Sequence, residues 1–278
     1  MAGAVAILAP AALAATVDVG WTAAGETDGA LTSWSASTNT YAAVAQWNGT
    51  GTKASGATNL ANVNDWVNAP DYNFTGGSGD SWQDRFGDAG TTKVNASWEL
   101  VLRPGSFTGN RHIFNTGGNG DGTAFLIENS TIRFIFQDAN SPDNRVALSF
   151  DLGTVGTAND FFHIVGTSDI QSAAAGTGEL WVNGSSVASQ TSSLTIADWD
   201  GGDLASLGSS AENHNIPSAN PYVSAAFTGD IAIFNFYSGE VLGETDVQAA
   251  YNALVPEPSS LALLGLGGLL IARRRRGI

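Results

Sequence analysis

Acid–base chemistry needs ionisable side chains held within hydrogen-bond reach of one another, and this chain offers few at any local spacing. Glu99, Glu128 and Glu179 stand alone, and Glu240, Glu244 and Asp246 gather towards the end of the body. His112, His163 and His214 lie far apart with no local partner, and His163 sits between Phe162 and Ile164 as a strand residue would. The chain has no G-x-S-x-G elbow and no H-E-x-x-H pair, and with 0 cysteines it has no thiolate or disulfide chemistry. These residue types favour binding or structural work over catalysis.

Two kinds of binding chemistry are better represented. Oxygen donors clustered on bendable loops suit Ca²⁺. Three turns have that make-up: Gly76-Gly77-Ser78-Gly79-Asp80, Gly117-Gly118-Asn119-Gly120-Asp121, and Asp198-Trp199-Asp200-Gly201-Gly202-Asp203. Asp80, Asp121, Asp198, Asp200 and Asp203 are the candidate ligands, although turn geometry alone selects Gly, Asn and Asp as well. Trp66, Tyr72, Phe74, Trp82 and Trp199 fall in turn-rich stretches. Exposed there, Trp66, Tyr72, Trp82 and Trp199 would stack on pyranose faces, and buried they would plug the end of a sandwich.

The elements that must position these groups are strands. Trp98, Leu100 and Leu102 alternate onto one face of a strand ending at Arg103. Ala124–Glu128 and Ile132–Phe136 flank the turn Asn129-Ser130, and Val146–Phe150 alternates large with small. Phe161–Thr167, Glu179–Val182 and Ser186–Ser189 continue the pattern, with Asn183-Gly184 as the strongest hairpin signal. Asp230–Tyr237 is apolar on both faces, as for a strand between layers. One helix is expected: Thr245-Asp246-Val247-Gln248 reads as a capping box, Val247, Ala250, Tyr251 and Leu254 follow at helical spacing, and Pro256 stops it. The fold class is all-β with one short C-terminal helix.

Charge narrows the partners. Taking Arg273–Arg276 and Glu257 from the totals of 11 basic and 26 acidic residues leaves 7 and 25, a formal charge of −18 for the rest. Such a surface repels phosphate backbones, which argues against nucleic acid, and it suits solubility or Ca²⁺. With no disulfides, stability must come from the core, and 43% hydrophobic residues permit one.

Five segments occur in an order that resembles the laminin-G-like, concanavalin A-like jelly roll: Ser97–Pro104, Arg111–Asn115, Phe161–Thr167, Gly178–Gly184 and Phe227–Gly239. The resemblance runs from about Trp98 to Leu254 and implies a β-sandwich whose remaining strands come from the N-terminal region. Such a sandwich hosts lectins, adhesins, spacers and glycosidases, so it names no function. Laminarinase-type relatives carry an E-x-D-x-x-E-like run on one strand, which this chain lacks.

Both ends read as addresses. Met1–Ala15 is small and apolar, with Ala12-Leu13-Ala14 as an A-x-A cleavage site and no preceding Lys or Arg. Residues 1–15 are therefore expected to be a signal peptide truncated at its start, with the mature chain beginning near Ala15 or Thr16. At the other end, Val255-Pro256-Glu257-Pro258 leads through the uncharged run Leu261–Ala272 into Arg273, Arg274, Arg275 and Arg276. This order resembles the PEP-CTERM sorting signal of Gram-negative bacteria. The resemblance implies export, brief retention at the membrane, cutting by an exosortase-type membrane protease, and release to the surface or an exopolysaccharide matrix. The apolar run is short against the roughly 20 residues a bilayer-spanning helix needs, so it suits transient anchoring with the arginines on the cytoplasmic side. The expected layout is a signal at 1–15, a jelly roll at 16–254 and a sorting segment at 255–278. The expected function is a non-catalytic surface module associated with exopolysaccharide. The alternatives are a glycan-cleaving enzyme on the same sandwich and a passive matrix component.

Overall fold

The computed structural model describes residues 15–40, 46–74, 95–116, 122–137, 145–170, 176–192, 205–208 and 225–255. Among the described residues, seventeen strands join in one continuous sheet folded into two layers. In chain order they are β1 Val19–Thr22, β2 Gly29–Ala30, β3 Ser33–Ser35, β4 Thr38–Asn39, β5 Gln46–Ser55, β6 Asp65–Phe74, β7 Ala96–Arg103, β8 Asn110–Thr116 and β9 Gly122–Glu128. There follow β10 Thr131–Gln137, β11 Arg145–Asp151, β12 Phe162–Asp169, β13 Thr177–Val182, β14 Ser185–Thr191, β15 Ser206–Leu207, β16 Ala225–Ala226 and β17 Asp230–Ser238. The helix α1 spans Glu244–Leu254.

One layer runs β4-β1-β17-β7-β12-β13-β14. The other runs from β5, which carries β2 and β3, through β6, β15, β8, β9 and β10 to β11. The layers join where the start of β17 pairs with both β6 and β7. There Asp230 accepts from Arg103 Nε and from Asn68 Nδ2. At the opposite edge, Gln190 Oε1 of β14 accepts from the backbone N–H of Ala147 in β11.

Aromatic rings from facing layers fill the space between them. Trp47 of β5 lies 5.9 Å from Phe234 of β17, Phe114 of β8 lies 4.8 Å from the same ring, and Trp98 of β7 lies 5.6 Å from Phe134 of β10. Tilted and edge-on contacts at these separations add to the area they bury. Gly166 of β12 makes room for this layer of rings: a Cβ there would stand 2.7 Å from atoms of Phe125 and Phe134. Gly166→Ala is therefore expected to cost about 1–3 kcal/mol through overpacking, read from the urea midpoint. An unchanged midpoint would place Gly166 off the interlayer face.

The hairpins follow their turn chemistry. Asn183 and Gly184 take φ of 51° and 78°, the pair of positive angles a type I′ turn requires, and Asn129 takes φ 53° between β9 and β10. Two sequence expectations need correction. Trp66, Tyr72 and Phe74 belong to β6 and not to turns, because this strand tolerates polar residues, a bulge opposite Thr50/Thr52, and Ala69-Pro70 with Ala69 at φ 44°. The helix is capped by Gly243 and not by Thr245: the Val247 N–H donates to the Gly243 carbonyl, and Asp246 Oδ2 accepts from the Gly243 N–H at 3.3 Å. Asp246 thus does the reaching back expected of Gln248, which instead donates to Glu244 at 2.9 Å. Glu244 and Asp246 in the first turn also suit the positive end of the helix dipole.

Candidate functional site beneath the C-terminal helix

Strand parity decides which side chains leave the core. Along β7, Trp98, Leu100 and Leu102 point between the layers, so Glu99 and Val101 point outward, and yet every residue from Ala96 to Leu102 is buried. The cover is α1. Val247 joins a cluster with Val165, Trp181, Tyr237 and Leu242, and Leu254 joins one with Leu60, Val63, Trp66, Val101, Phe161 and Ala232. Tyr251 stacks on His163 at 5.9 Å and 26°. It also sits against Gly184, where a Cβ would approach it to 2.9 Å.

Under this helix lies a polar cluster. Glu99 stands directly across from Val165 of β12 and Asn235 of β17, with His163 and Tyr237 one diagonal step away. Its Oε1 lies 2.9 Å from His163 Nε2, and its Oε2 accepts from Asn235 Nδ2 at 2.8 Å and from the Tyr237 hydroxyl at 2.6 Å. Glu99 is 4% exposed and His163 0%. Burial pushes the Glu99 carboxyl up, but the hydrogen bond and charge of His163, with the bonds from Tyr237 and Asn235, outweigh it and hold the group below the usual range. The Tyr237 hydroxyl is pushed up, first by burial and then by Glu99. The arrangement holds an ionised carboxylate, with its hydrogen-bond partners, beneath a helix. It gives Glu99 an imidazole, a phenol and a carboxamide as partners.

The helix then delivers the chain out of the fold at a fixed point. Asn62, in the β5–β6 connection, donates from Nδ2 to the Ala253 carbonyl at 2.8 Å and from its backbone N–H to the Leu254 carbonyl at 3.1 Å. These bonds serve two of the four carbonyls that a helix end leaves without partners. Val255 is extended, as a residue before proline should be, and packs on the Leu254 cluster. It is the last described residue, one short of Pro256.

The sequence profile of the PEP-CTERM protein-sorting motif matches residues 254–276. The chain ends in a PEP-CTERM sorting motif. That PEP-CTERM segment implies export, transient anchoring at a membrane and processing by an exosortase, which leaves a surface protein. It begins where the helix is clamped.

No protein of curated function matches the chain. Among solved structures, the chain is similar to the receptor binding domain of botulinum neurotoxin mosaic serotype C/D, with TM-score 0.54 and 14% identity over 85% of this chain and 50% of that one. It is similar to the binding domain of serotype G, with TM-score 0.52 and 15% identity over the same shares. A third is the ligand binding domain of serotype D in complex with N-acetylneuraminic acid, with TM-score 0.51 and 13% identity over 85% and 50%. The chain spans about half the length of these structures. At this identity the likeness shows the fold: an all-β sandwich of the jelly-roll type.

The residues singled out in the sequence divide into three groups. Tyr72 is 0% exposed, with its hydroxyl donating to the Leu31 carbonyl at 2.8 Å and its ring 6.4 Å from Trp34 inside the core. Trp66 is 9% exposed, its ring 5.7 Å from Phe161 and covered by the Arg103 guanidinium at 4.7 Å. Of the two readings the sequence left for these rings, sugar stacking if exposed and packing if buried, the structure has the second: neither ring faces solvent. Trp82, Trp199, Asp80, Asp121, Asp198, Asp200 and Asp203 lie outside the described residues, as do Ala12, Ala14 and Pro256 to Arg276. Among the described residues no group of three or more Asp, Glu or His is placed to hold a metal, and no helix is long and apolar enough to cross a membrane. Glu99 and His163 form the third group. They read as isolated in the sequence and meet across 64 residues. The signal that could have joined them is parity, since each alternates with inward-facing core residues.

Proposed function

We propose that this chain is an exported surface module of a Gram-negative bacterium, with a jelly-roll body at 16–254 that associates with exopolysaccharide without cleaving it. Residues 1–15 carry the signal peptide and its cleavage junction, with the mature chain beginning at Ala15, and 255–278 form the sorting segment, which is cut away beyond Val255. The observation that carries this reading is the junction at Leu254–Val255: a clamped helix end on one side and the sorting motif on the other. A body that keeps its helix fixed up to the motif can lose everything beyond it and remain folded. The likeness to receptor- and ligand-binding domains supports a binding role for the sandwich, and the partners of Glu99 support a non-catalytic one.

Purified protein should therefore bind at least one polysaccharide on a glycan array and release no reducing ends from it. Loss of binding with EDTA would assign the contact to Ca²⁺ at the acidic turns. Release of reducing ends would replace this reading with the glycan-cleaving one, and failure to bind any glycan would leave a passive matrix component.

A further inference from the structure

The two processed ends of the chain converge on α1. A groove of about 200 Å³ runs beside the helix, lined by Ala15, Tyr237, Leu242, Asp246, Ala249, Ala250 and Ala253. Ala15 and Val17 pack against the cluster of Val165, Trp181, Tyr237, Leu242 and Val247 that seats the helix. Asp246 shares this groove with the residue that follows the A-x-A site at Ala12–Ala14. Among the described residues, Lys53, Arg103 and Arg133 are paired with Asp28 and Asp65, Asp230, and Glu128, and no Lys or Arg is paired with Glu240, Glu244 or Asp246.

We propose that Asp246 receives the α-ammonium that signal cleavage creates on Ala15. Hydrolysis of the Ala14–Ala15 amide adds the hydroxyl of water to the Ala14 carbonyl carbon and a hydrogen to the Ala15 nitrogen, which takes a second proton from solvent. A neutral amide nitrogen thereby becomes a cation on a residue that lines the same groove as a carboxylate. The new end fastens the first turn of the same helix whose last turn presents the sorting motif, so removal of the leader firms the helix before the tail is cut. The cut after Ala14 rests on the proposed export of the chain, whereas the pairing can be tested without it.

The test uses the full chain from Ala15 to Ile278 in mild detergent, released from a cleavable fusion so that Ala15 is free, or Nα-acetylated by a co-expressed acetyltransferase. Each form is made with Asp246 and with Asp246→Asn, which keeps the oxygen that accepts from Gly243. Acetylation should lower the folding equilibrium constant roughly two- to fivefold with Asp246, the range for a partly exposed ion pair, and leave it unchanged in the Asp246→Asn variant. Equal effects of acetylation in both backgrounds would overturn the pairing. A native surface protein beginning elsewhere than Ala15 would overturn the cleavage on which its biological role rests, whatever the unfolding curves show.

Discussion

Glu99→Ala is expected to destabilise the protein by about 3–5 kcal/mol, the usual cost of removing one partner from a buried charged pair. At this chain length each kcal/mol is worth roughly 2–4 °C in Tm. The substitution strands the Tyr237 hydroxyl, the Asn235 amide and His163 Nε2 beneath α1, where water cannot replace the lost acceptor. Glu99→Gln keeps the shape and one acceptor oxygen, and should cost about 1–3 kcal/mol. The pH dependence has a defined sign. A carboxyl held below its ordinary value stabilises the fold above that value, about 4.3 for Glu, and the contribution fades as pH falls through the lower folded value. The gap between wild type and Glu99→Gln should be full at pH 7 and close in acid. Urea unfolding followed by tryptophan fluorescence at several pH values measures it. A change below about 1 kcal/mol for Glu99→Ala at pH 7, well short of the usual buried-pair cost, would mean that α1 does not seal this face.

The second large effect separates the tail from the helix. A chain ending at Val255 should unfold within about 0.5 kcal/mol of the full chain, as changes away from packed groups do. A chain ending at Gly243 loses the burial of Val247, Tyr251 and Leu254 and opens the Glu99 cluster to water. At roughly 1.5–3 kcal/mol for each large apolar side chain, that loss approaches the whole stability of an ordinary domain, about 5–15 kcal/mol. The shorter chain is expected to lose cooperative unfolding altogether. Matched urea curves for the three lengths decide the point, and a cooperative curve for the chain ending at Gly243 would remove α1 from the fold's essential parts.

Much of the sandwich is legible in the residues themselves. Alternation at Trp98, Leu100 and Leu102 marks the inward face of β7, and Asn183-Gly184 marks the β13–β14 hairpin with the angles its turn type demands. The first six strands are harder to read because they break the rules of pattern. β5 carries Gly49, Gly51 and the buried Lys53, while β6 carries Pro70 beside a residue at positive φ, so its aromatics look like loop residues. The site is legible only by halves. Parity puts Glu99 on the outer face of its strand, but nothing local shows that α1 returns to cover it. Its bonds to His163 and Tyr237 span 64 and 138 residues, a distance over which no sequence periodicity speaks. The helix cap moved for a related reason: Leu242 is drawn into the cluster with Val247, so the helix starts at Glu244, two residues after it.

If the tail is a disposable address, the folded body ends at Val255 and the sorting segment beyond it is removed in the cell. Intact-mass and C-terminal peptide mass spectrometry of the protein recovered from the cell surface tests this directly. The expected product retains Leu254 and Val255, which the Asn62 clamp and the surrounding core protect, and lacks Arg273–Arg276. A surface product that still carries those arginines, or one cut upstream of Val255, would contradict it.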